Sequence, residues 1–262
     1  EAPGQVSLTL AQQHLNFADR MHGAMMMLLL TAAAHSKATD EMRQRANAGQ
    51  AVELVCADFG FVRSAHISAT AVATAQIARA TRTLMFLNAQ VAADGDTLCT
   101  ATLTYAIVPQ VTVFEATALN AGGRPEYPSS TTRLRVPSNV LGERIGAIYD
   151  QQIDRHHLLA QYEVTPERCQ PGLALLDDGM TLYVADSLGS RAANQASGQA
   201  CVTVNLQLRR FGNAPLGAWV QIETEARQQL GDLVFIEGRF TVNGQALADF
   251  SGIWKGMGAR KG

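Results

Sequence analysis

No hydrophobic run in this sequence is long enough to cross a bilayer. The longest, "AMMMLLLTAAA" at 24–34, falls well short of the roughly 20 residues a spanning helix needs. It is also not N-terminal, as a signal peptide would be. Cysteine is scarce: Cys56, Cys99, Cys169 and Cys201 are the complete set. No two stand in C-x-x-C spacing, and no histidine lies near one at metal-ligand spacing. Neither a zinc module nor a disulfide framework is expected. The four read as buried small hydrophobes in a reducing, cytoplasmic setting, with no metal and no cofactor. Basic excess is missing too: 21 Lys and Arg stand against 23 Asp and Glu, a net charge of −2. Nucleic acid binding needs a clustered basic surface, so it is not expected, and neither is a membrane partner. His156 and His157 follow Arg155 in a polar stretch and read as a solvated pair.

What is present is a chain of 262 residues, 47% of them hydrophobic, enough for one large domain or two small ones. An internal repeat decides between these. "MHGAMMMLLLTAAAHSKA" (21–38) and "LDDGMTLYVADSLGSRAA" (176–193) both begin at a Gly-containing step, run apolar, then thin into small residues. "AVELVCADFGFVRSA" (51–65) matches "ACVTVNLQLRRFGNA" (200–214), both alternating with a strand-like period. "TLMFLNAQVAADGDTLCTATLTYAIV" (83–108) matches "DLVFIEGRFTVNGQALADFSGIWKGM" (232–257), with Asp94-Gly95 over Asn243-Gly244, both good hairpin dipeptides. The offset is 155 residues at the helices and 149 at the strands. Each half therefore reads as a strand, one long helix and three or more antiparallel strands. A helix apolar on nearly every face has to be wrapped, and a curved antiparallel sheet would do so. The expected organisation is an N-terminal domain over 1–108, a proline-bearing linker over 109–145 and a C-terminal domain over 146–262.

Asp186 stands within the second apolar helix. An unpaired buried charge is costly, so such a residue is paired, protonated or functional. The bland alternative is a satisfied or surface-facing Asp. The stretch "NFADRMHGAMMMLLLTAAA" resembles the Asn, His-Gly-Gly and carboxylate motif of 4-hydroxybenzoyl-CoA and phenylacetyl-CoA type thioesterases. The paired layout resembles the type II acyl-CoA thioesterases, whose fold is a double hotdog. The resemblance covers roughly 5–108 and 146–257. It implies an α+β fold, two curved antiparallel sheets each wrapped around one long central helix. It also implies hydrolysis of an acyl-CoA, and it leaves room for a further dimer or trimer of such chains.

The motif is split between the halves. Asn16, His22 and Gly23 match its Asn, His and first Gly, but Ala24 replaces the next Gly and Thr31 the carboxylate. In the second half Asp177 and Asp178 replace His and Gly, Pro171 stands for Asn, and Asp186 keeps the carboxylate. Gly23 and Thr31 would lie about 12 Å apart on one helix, whereas catalytic contacts need roughly 3 Å. A complete site must therefore draw on both helices. Asn16, His22 and Gly23 would face Asp186; the other combination lacks a carboxylate and is expected to be inactive. In that site the Gly23 N–H and the Asn16 amide would receive the oxyanion. His22 would orient the turn. Asp186 would act as general base or attack directly. By resemblance, a strand hydroxyl, here Thr203, helps hold the water; Leu54 is its counterpart in the first half. The family's additional Gln has Gly252 in its place. Met26 would line the acyl site. Arg79 and Arg82, with Arg209 and Arg210, would meet CoA phosphates. The competing readings are a non-catalytic acyl-CoA binder or sensor, and an enoyl-CoA hydratase. "GDTL" (95–98) and "GDLV" (231–234) lack the rest of the hydratase motif.

Overall fold

The computed structural model describes residues 2–16, 19–45, 49–109, 133–135, 146–170 and 172–258. The chain forms two compact units, Glu1–Thr117 and Ala118–Gly262. Each carries one long helix and a set of antiparallel strands, the α+β pattern expected from the sequence; the expectation of two separate sheets is not met, since the strands are hydrogen-bonded as one sheet.

The first unit runs β1 (Gln5–Thr9), α1 (Gly23–Gln44), β2 (Gln50–Phe61), β3 (Thr70–Ala80), β4 (Leu84–Ala93) and β5 (Asp96–Pro109). Its strands lie in the order β1-β3-β4-β5-β2, every neighbour antiparallel. The second unit runs β6 (Arg133–Arg135), β7 (Ile148–Gln152), β8 (His157–Glu163), α2 (Asp178–Ser197), β9 (Cys201–Arg210), β10 (Trp219–Leu230), β11 (Leu233–Val242) and β12 (Gln245–Gly256). Its order is β6-β7-β8-β10-β11-β12-β9. Without β6 and β7, this is the order of the first unit.

Local chemistry accounts for these elements. In β4, Met85, Leu87, Ala89, Val91 and Ala93 are buried while Phe86, Asn88 and Gln90 face outward, the period-2 pattern of a sheet covered on one side. The two hairpin turns have positive φ at both central positions: 52° and 86° at Asp94-Gly95, 52° and 75° at Asn243-Gly244. Asn, Asp and Gly tolerate that left-handed geometry, which matches strand twist. In α2 every residue from Gly179 to Asp186 is buried, more than two helical turns with no solvent face. α1 buries Met26, Met27, Leu29 and Leu30 but leaves Ala32 and His35 exposed. It also continues to Gln44, beyond its apolar stretch, as a polar, partly exposed extension.

Most of the expected linker, 110–132 and 136–145, lies outside the described residues, as does Pro171. The described part departs from a plain connector: Arg133–Arg135 pairs with β7 as a strand. No helix among the described residues is long and apolar enough to cross a membrane.

Candidate active site

Asp186 is 3% exposed and lies in the middle of α2. The helix is well specified at both ends. Asp177 is its N-cap, accepting the Gly179 N–H at 2.8 Å, and Gly198 ends it in the left-handed region at φ 72°. Asp178 in the first turn favours the helix dipole and is ion-paired to Arg210, which also donates to the Gly212 carbonyl. Arg210 is thus committed within its own unit, while Arg209 remains exposed.

The Asp186 carboxylate meets a hydroxyl. Thr203 Oγ1 donates to Asp186 Oδ1 at 2.6 Å. A bulge brings Thr203 into position. Between β9 and β12, Trp254 pairs with Thr203 but Ile253 pairs with Asn205, so Val204 is the extra residue. Leu206 and Leu208 are buried on the α2 side of β9. By strict alternation Thr203 would face away from them. One additional residue reverses that parity, the usual consequence of a bulge. Arg191, the basic residue nearest in sequence, pairs with the buried Asp150 of β7.

Two neighbours that sequence reasoning missed complete this wall. Trp254 is fully buried, and its Nε1 donates to Ser190 Oγ at 2.9 Å. A Cβ on Gly189 would collide with the indole ring, and one on Gly252 with the Asn205 carbonyl and the same ring. The position where the resemblance implies a Gln thus has no room for one. No local sequence pattern joins Gly189 and Ser190 to Trp254.

The corresponding place in the first unit is built without a carboxylate. Thr31 Oγ1 donates back to the Met27 carbonyl at 2.8 Å, and Tyr105 OH donates to the Thr31 carbonyl at 3.3 Å. Leu54 pairs with Tyr105 beside a bulge at Val55. The offset of 149 that relates Tyr105 to Trp254 and Leu54 to Thr203 also relates the two bulged valines.

Asn16, His22 and Gly23 are gathered at the start of α1. Asn16 Oδ1 accepts the Arg20 N–H at 3.2 Å, and the Asn16 N–H donates to the Arg20 carbonyl at 2.7 Å. This closes the turn before the helix. His22 is the N-cap, its Nδ1 accepting the Ala24 N–H at 3.1 Å; a neutral ring therefore carries its proton on Nε2. The Gly23 N–H has no acceptor among the described residues. Met26 is buried, 2% exposed.

Arg79 and Arg82 are exposed near the β3–β4 turn. That turn meets the other end of α1, where Arg45 Nη1 donates to the Thr81 carbonyl at 3.1 Å. About 30 Å of helix separates it from Gly23. Two clefts, of about 550 and 490 Å³, open on sheet faces turned away from the helices. The first is lined by residues including Asp58, Gln76 and Thr102, the second by residues including Glu223, Arg227 and Arg239; neither touches Asp186 or Thr203. His157 is exposed at the β7–β8 turn, with Nδ1 2.7 Å from Asp154 Oδ2. That bond raises the pKa of the imidazole.

No family model matches the chain, and no curated protein matches it by sequence. Solved structures do. A protein of Novosphingobium aromaticivorans carrying a provisional thioesterase name is 15% identical, with a TM-score of 0.71, covering 98% of this chain and 97% of that one. A conserved protein of unknown function with a hotdog fold, from Alicyclobacillus acidocaldarius, is 13% identical, with a TM-score of 0.66 and coverage of 98% and 94%. An acyl-CoA thioesterase II, TesB2, from Mycobacterium marinum is 10% identical, with a TM-score of 0.65 and coverage of 97% and 93%. At these identities the likeness establishes the fold: the chain has the hotdog fold of these proteins.

Proposed function

We propose that this protein is a double hotdog thioesterase that hydrolyses an acyl-CoA at one composite site. Asp186 and Thr203 would be supplied by the second unit, and the start of α1 by the first. The observation that carries this reading is the buried Asp186 carboxylate, held by the Thr203 hydroxyl at 2.6 Å at the end of a run of α2 that is buried on every face. Burying a carboxylate there costs stability; a chemical role explains why the cost is met. The thioesterase names among structures of the same fold support it.

In this reaction Asp186 takes a proton from water as the water oxygen bonds to the thioester carbonyl carbon. Negative charge builds on the carbonyl oxygen, where the Gly23 N–H and the α1 dipole stabilise it. The tetrahedral intermediate then collapses, the C–S bond breaks, and the proton passes to the leaving thiolate. Thr203 fixes one carboxylate oxygen and so orients the other. Asn16 and His22 shape the turn that presents Gly23.

The test is thioester cleavage over a panel of acyl-CoAs. Asp186→Asn is expected to lower kcat by roughly 10²–10⁴, the usual contribution of a general base. Thr203→Val should lower it less. Binding of acyl-CoA by the wild type without release of free thiol from any member of the panel would replace hydrolysis with the binder reading.

A further inference from the structure

We infer that Trp254 and Ser190 are the positioning pair of this site: the indole, tied to α2, sets the gap across which Thr203 reaches Asp186. The inference rests on the reading of Asp186 as the reacting carboxylate and adds residues that neither the motif nor the resemblance names.

Asp186, Gly189 and Ser190 are three and four residues apart and therefore share one face of α2. Trp254 is the direct cross-strand partner of Thr203, and such partners have Cβ atoms about 5 Å apart on the same face. The indole and the Thr203 hydroxyl thus stand side by side on the sheet, opposite Ser190 and Asp186 on the helix. Two hydrogen bonds cross this gap in parallel: Trp254 Nε1 to Ser190 Oγ at 2.9 Å and Thr203 Oγ1 to Asp186 Oδ1 at 2.6 Å. The second is short and so depends strongly on how closely helix and sheet approach.

The indole controls that approach from both sides. Against the helix it needs the bare Cα of Gly189, and against its own strand the bare Cα of Gly252. Among the described residues Trp254 is one of the largest fully buried side chains, and its polar edge is satisfied at Ser190. The first unit has a different arrangement at these positions. Tyr105 OH donates to a helix carbonyl, that of Thr31, and His35 lies with its ring 6.0 Å from the Tyr105 ring. The indole-to-serine tie occurs in the unit that has a carboxylate to hold.

The test uses Trp254→Phe, Ser190→Ala and Thr203→Val, singly and with Trp254→Phe combined with Thr203→Val, in the full chain. Trp254→Phe should lower kcat roughly 10-fold with KM little changed; a 1 Å misplacement can cost up to about 100-fold. In the Thr203→Val background the same substitution should have little further effect, because both act through one hydrogen bond. A second readout needs no turnover: the Thr203 hydroxyl proton, followed by NMR, should be protected from exchange in the wild type and exposed in Trp254→Phe and Ser190→Ala. If these variants lose thermal stability but keep kcat and the protected hydroxyl, or if the kcat losses add in the double variant, Trp254 is a packing residue and the inference fails. A wild type that cleaves no thioester overturns the proposed reaction instead, and the hydroxyl readout still decides the role of Trp254.

Discussion

His22 caps α1, and substitution tests whether its ring also takes part in the proposed reaction. Its Nδ1 accepts the Ala24 N–H as the N-cap of α1, the place Asp177 fills for α2. Asn is as good a cap as Asp or Ser, whereas Ala forfeits about 1 kcal/mol. If His22 only orients the turn, His22→Asn should keep both Tm and kcat, while His22→Ala lowers both. A kcat that falls in His22→Asn at unchanged Tm would assign the ring a part in the chemistry. Gly23 is tested at the same end. Gly23→Pro removes the backbone donor and should slow turnover by roughly 10²–10³, the range for a lost oxyanion donor. Gly23→Ala keeps the N–H and serves as the control for altered packing. Equal losses in the two variants would deny Gly23 its role as donor.

Elements differ in how far the sequence announces them. The helices, the hairpin turns at Asp94-Gly95 and Asn243-Gly244, and the alternating strands follow from periods and dipeptides that act over a few residues. The candidate site is legible only in part. Asp186 stood out because a charge interrupts an apolar run, and Thr203 came from a resemblance rather than a period. What lay beyond reach was the bulge at Val204. One inserted residue reverses the facing of everything before it, and alternation cannot reveal an insertion without the partner strand. Trp254 was hidden for the same reason: its meaning depends on Gly189, 65 residues earlier in the chain, and on no local pattern. α1 continues to Gln44, past its apolar stretch, because its last turns are polar and the apolar signal stops first. Arg79 and Arg82 stand out in the sequence by charge alone. The fold puts their turn beside the C-terminal end of α1, a placement that charge alone does not reveal.

At the scale of the whole molecule, two units share a plan and differ at the positions of the candidate site. Thr31, Leu54 and Tyr105 stand where the second unit has Asp186, Thr203 and Trp254. The Thr31 hydroxyl is spent on the Met27 carbonyl of its own helix, a back-bond that adds little to helix stability, and Leu54 offers no hydroxyl. The proposed reaction therefore makes an asymmetric prediction. Thr31→Ala should leave kcat within about 2-fold, with Tm unchanged or slightly raised because Ala is the better helix former. Asp186→Asn should abolish most turnover while the protein stays folded, since Asn is nearly isosteric and can still accept from Thr203. Measuring kcat and Tm for the two variants side by side gives the decision. Similar losses in both would mean that two sites turn over and that a carboxylate is not what separates them. A loss confined to Asp186→Asn would mean that the repeat supplies two scaffolds of one design, with hydrolysis kept where a buried carboxylate has a hydroxyl to hold it.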